Sequence, residues 1–77
     1  MSVPKPFEMV LNKKTIKISY ERYGLDWTVL VAGKPFCHVA RRKQNEWEAR
    51  ANRQNFFLGR TAQQAVMDCV REEYRPA

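Results

Sequence analysis

The spacing of apolar residues changes once along this chain, and that change limits the folds open to it. In "KTIKISY", Ile16, Ile18 and Tyr20 alternate with Thr15, Lys17 and Ser19, the two-residue period of a strand with one buried face. In "EWEARAN", Trp47, Ala49 and Ala51 alternate with Glu46, Glu48, Arg50 and Asn52 in the same way. Beyond Thr61 the period lengthens. Ala62, Ala65, Val66, Cys69 and Val70 form one stripe of an α-helix, with Gln63, Asp68, Arg71 and Glu72 opposite. Thr61 is placed to cap that helix, and Gln64 three residues later completes a capping-box pattern.

Between the two alternating segments, "WTVLVA", "FCHVARRK" and, further on, "NFFLG" read as strands rich in β-branched and aromatic residues. Gly24 with Asp26, Gly33 with Pro35, and Gln44 with Asn45 supply the reversals. The sequence therefore predicts an α+β domain over residues 10–77: an antiparallel β-meander of four to five strands with one C-terminal α-helix packed on one face. Residues 1–9, "MSVPKPFEM", hold two prolines that cannot donate to a ladder, and are expected as an extended N-terminal arm with Phe7 or Met9 tucked against the body. Seventy-seven residues close a single small core, so one domain is expected.

Chemistry-bearing motifs are sparse. A phosphate loop, a nucleophile elbow, a paired carboxylate and a histidine cluster are all missing from the sequence, and with one His in the chain a non-enzymatic role without cofactor is expected. Cys37 and Cys69 lack the paired spacing of zinc sites, and His38 adjoins Cys37 on a strand, where neighbours point to opposite faces. Both thiols read as buried and reduced. The longest apolar run, Trp27 to Gly33, is far short of the roughly 20 residues of a membrane span, so no membrane partner is expected. The N-terminal residues lack the charged-then-apolar plan of a secretion signal, which makes the cytoplasm the expected compartment.

Charge is the strongest functional signal. Fourteen Lys and Arg against eight Asp and Glu leave +6, and the excess thickens between Lys34 and Arg60. Such a field favours nucleic acid, an acidic protein surface or anionic lipid. Within it, the hairpin of residues 36–53 carries Arg41, Lys43, Arg50 and Arg53. A two-stranded ribbon with long cations on its wet face suits a DNA major groove, with affinity that falls steeply as salt rises. The competing view pairs Glu46 and Glu48 with Arg41, Lys43 or Arg50 and leaves the ribbon merely solvated. Trp47, Ala49 and Ala51 should face the helix; for the preceding strand, both the set Cys37, Val39, Arg41 and Lys43 and the set Phe36, His38, Ala40 and Arg42 remain open as the buried face. Tyr20, Tyr23, Trp27 and Phe57 are the aromatics considered for stacking on bases.

The segment "WEARANRQNFFLGRTAQQAV" resembles the last two strands and helix entry of small DNA-binding domains built from a three-stranded sheet and one helix, of the plant ethylene-response type and the arm-binding type of tyrosine recombinases. The matching positions are Trp47, Ala49, Leu58, Gly59, Thr61, Ala62 and Ala65, and the segment taken whole covers about a quarter of the chain. Arg60 alone separates Gly59 from Thr61, where those domains carry a longer aromatic spacer. The resemblance implies DNA, rather than RNA, read by the exposed sheet face. In style the chain is also similar to small phage or mobile-element proteins that block host nucleic-acid or defence machinery. That likeness implies an inhibitor or adaptor binding an acidic protein surface, with Tyr23, Trp27 and Phe57 as anchors. An open sheet edge would in addition permit a homodimer.

Overall fold

A computed structural model describes residues 3–51 and 55–75. It contains β1 (Phe7–Leu11), β2 (Lys14–Tyr23), β3 (Asp26–Val31), β4 (Lys34–Lys43), β5 (Glu46–Arg50), β6 (Phe56–Gly59) and α1 (Ala62–Glu73). The strands form one antiparallel sheet in sequence order, β1 to β6. The expected α+β meander with a C-terminal helix is present, but with six strands rather than four to five.

The additional strand is β1, whose first three residues fall in the predicted arm. Phe7, Met9 and Leu11 alternate with Glu8 and Val10, and Met9 pairs with Ile16. Met9 is buried as a result, which stabilises the pairing. Pro4 and Pro6 precede the strand, where the ladder asks for no N–H.

Short reversals set the register. Asn12 and Lys13 have φ of 52° and 66°, and Ala32 and Gly33 have 53° and 81°. Two successive positive φ angles give a turn whose twist matches that of the flanking strands. Neither Lys13 nor Ala32 adopts this region cheaply, so the two-residue connections hold some strain.

The helix packs against β4, β5 and β6 and reaches β1 at the opposite edge, so the sheet curls around it as a half-barrel. Ile18, Trp27, Val29, Val31, Cys37, Val39 and Ala49 point inward from the sheet to meet Ala62, Ala65, Val66, Cys69 and Val70. Ala49 and Ala65 have no accessible surface, and their small side chains let helix and sheet approach closely. Gly59 makes the tightest approach, since a Cβ there would stand 2.6 Å from the Ala65 nitrogen. Thr61 caps α1 by accepting from Gln64 N at 3.1 Å, and the Gln64 side chain accepts from Arg60 N at 3.0 Å. The return bond of the capping box thus lands one residue earlier than the pattern requires.

Past the C-terminal end of the helix, β1 and β2 overhang. Phe7, Leu11, Ile16 and Tyr74 line an open apolar groove of about 990 Å³ there. At the centre of the domain both cysteines are buried and unbridged. The hydrogen bond to Cys69, together with burial, raises Cys37 far above the ordinary thiol range and keeps it protonated.

Candidate nucleic-acid interface

Cross-strand partners share a face, so the register divides the sheet into two surfaces. Trp27 pairs with Val39, Val39 with Ala49, and Ala49 with Phe57, which fixes the surface turned to α1. The alternate residues form the outer face. Directly opposite one another across four strands lie Thr28, His38, Arg50 and Phe56. Beside that row run Ala40, Glu48 and Leu58.

The row is chemically organised. The Tyr23 and His38 rings sit 5.2 Å apart between centroids at 33°, and Thr28 Oγ1 lies 3.4 Å from His38 Nδ1. The Arg50 guanidinium stands 5.6 Å from the centroid of the Phe56 ring, within cation–π range. Glu48, whose side chain is only 13% exposed, accepts from both Arg42 and Arg50. One carboxylate therefore holds two guanidinium groups that remain 55% and 50% exposed and carry a net surplus of positive charge. Tyr23, Phe56 and Leu58 are each more than half exposed around this centre.

The four cations singled out in the sequence do not stay together. Arg50 lies on the outer face. Lys43 comes to rest opposite Glu46, with its ammonium 3.8 Å from the carboxylate. Arg41 is on the other surface: it pairs with Trp47 and lines a cleft with Lys5, Tyr20, Arg60 and Thr61 at the start of α1. A register shift between Arg41 and Lys43 separates these two, as an extra residue in one strand re-aims its neighbours. Arg53 lies outside the described residues. The acids pair much as the solvated-ribbon view expects, with Lys43 and Arg50, but Arg42 takes the place assigned to Arg41.

Of the three expected protein-binding anchors, Trp27 is corrected and Phe57 is only partly accessible. Trp27 is 1% exposed, because its register opposite Val39 puts it in the middle of the helix-facing surface. It packs 5.7 Å from the Trp47 ring and has Arg22 above it, so it cannot be a surface anchor. Phe57 pairs with Ala49 and is half-buried against the core, while its neighbour Phe56 takes the outward position. Tyr23 is exposed as expected. Tyr20 faces the helix side, and burial pushes its phenol well above the ordinary range. Arg42, His38 and Phe56 were not selected from the sequence. The alternation within "FCHV" and "NFFL" carries the outward direction of His38 and Phe56 once Val39 and Ala49 are known to be buried, whereas Arg42 sits at the register shift.

Among the described residues, no three His, Cys, Asp or Glu side chains gather as a metal would require. No helix among them is long and apolar enough to cross a membrane. In comparisons with known proteins, no family model matches the chain, and no curated protein or solved structure matches it significantly.

Proposed function

We propose that this domain is a non-enzymatic nucleic-acid-binding module, DNA being the first candidate, and that it holds its ligand on the outer face of the β4–β5 hairpin. The observation that carries this reading is the pair Arg42 and Arg50, fixed by Glu48 on a sheet face where Tyr23, His38 and Phe56 are also displayed. Guanidinium groups already ordered by a carboxylate lose little further freedom on meeting phosphates.

Titration of a labelled duplex DNA at two salt concentrations tests this. With Arg42, Lys43 and Arg50 as three phosphate contacts, raising salt from about 50 to 200 mM should weaken binding about 40-fold, and alanine at Arg42 or Arg50 should lower the salt slope by about one. Absence of binding to any nucleic acid at low salt defeats the proposal. Of the three anchors expected for the rival reading, an inhibitor or adaptor of a host protein, Tyr23 alone is more than half exposed. A stoichiometric protein partner captured from nuclease-treated lysate would favour it.

A further inference from the structure

We infer that the outer face is built for a single strand rather than a duplex, an inference that rests on the nucleic-acid reading above. Its ligand is a short stretch of unpaired nucleotides, with Tyr23 and His38 at one end of the contact, Phe56 at the other and Arg50 between them.

The first ground is spacing. His38 lies on β4 and Phe56 on β6, two strands apart in one straight cross-sheet row. At about 4.8 Å per strand their backbones are roughly 10 Å apart. Bases within one strand of a duplex follow each other at about 3.4 Å with their faces already covered, so rings at this separation have nothing to stack on there. An extended, unstacked strand presents successive base faces at a wider interval, with its phosphates between them. Arg50 occupies the intervening position, its guanidinium 5.6 Å from the Phe56 centroid and within a hydrogen bond of Glu48.

The second ground is shape. The β4–β5 hairpin is flanked by β3 and β6 within a six-stranded sheet that curls around α1, so its outer face is the middle of a broad convex surface. A major groove is about 12 Å wide and admits two strands. The isolated ribbon that suits a groove is therefore not what the fold presents. The third ground is composition: Tyr23 and Phe56 are 65% and 53% exposed. Flat rings beside cations on an open sheet are the equipment of single-strand binders, where each base stacked contributes about 1–3 kcal/mol.

The test uses the full chain and fluorescence anisotropy with three labelled probes: an oligothymidylate 12-mer, an oligouridylate 12-mer and a 12-base-pair duplex. The single strands should bind at least about tenfold tighter than the duplex. Phe56→Ala and His38→Ala should each weaken single-strand binding about 5- to 100-fold and weaken duplex binding by less, and Phe56→Tyr should retain single-strand binding. Circular dichroism of each variant checks that the fold is intact. The difference between the thymidylate and uridylate probes assigns DNA or RNA as the source, and either outcome supports a single-strand site. Duplex binding equal to or tighter than single-strand binding, with Phe56→Ala silent and Arg50→Ala harmful, overturns this inference while the nucleic-acid reading survives. Failure of all three probes at low salt overturns both.

Discussion

The two faces of this sheet are made from the same strands, often from adjacent residues, yet they obey different rules. On the inner face Trp27, Val29, Val39 and Ala49 reach zero or near-zero exposure against α1. Each is there because removing apolar area from water contributes about 25 cal/mol per Å². On the outer face, one register step away, Glu48 supports two arginines and Phe56 stands in solvent beneath Arg50. The fully buried core residues of the sheet all lie on the inner side, and ion pairs made by half-exposed arginines contribute only about 0–1 kcal/mol. Stability resides on one surface and the proposed recognition chemistry on the other, so each should be removable without the other.

The largest effect should come from Val66→Asp, which forces a charge into the fully buried contact between α1 and the sheet. We expect loss of the cooperative thermal transition, since an unpaired buried charge costs more than a domain of this size can supply; a normal melt would place the helix stripe elsewhere. Gly59→Ala should follow. Its new methyl meets the backbone of α1, which must move, and a loss of about 1–3 kcal/mol should appear as a fall in Tm of roughly 5–20 °C. Leu58→Asp, one residue earlier but pointing outward and 54% exposed, should cost no more than about 1 kcal/mol, even with its carboxylate directly opposite Glu48. It should nonetheless weaken nucleic-acid binding, by setting a carboxylate beside Glu48 opposite the two arginines. If Leu58→Asp unfolds the domain, or leaves binding intact, the separation of the two faces is refuted.

The architecture was legible wherever periodicity was long and unbroken. The Ile16–Tyr20 and Trp47–Ala51 alternations and the Ala62–Val70 stripe translate directly into inward-facing residues, and Thr61 caps where its sequence position says it should. β1 was obscured because five alternating residues follow two prolines, and short strands signal weakly against such punctuation. The proposed binding face was harder to read for a different reason. β4 carries bases in both phases, and the register shift between Arg41 and Lys43 has no Gly or Pro to mark it. In "FF" the choice between Phe56 and Phe57 depends on pairing with Ala49, which is a long-range fact. Trp27 shows the same limit, since an aromatic suited to recognition is equally suited to a core until its cross-strand partner is known.

The sequential order of the strands also shapes how this chain folds. Every strand pairs with its immediate neighbour, and four of the five inter-strand connections are two residues long. The entropy lost on closing each such loop is small, so hairpins can form early and independently along the chain. The contact between α1 and β1 is the exception, for it joins the two ends of the described chain. Curling of the sheet therefore depends on the contact of longest sequence separation, and closing it carries the largest loop-closure cost in the fold.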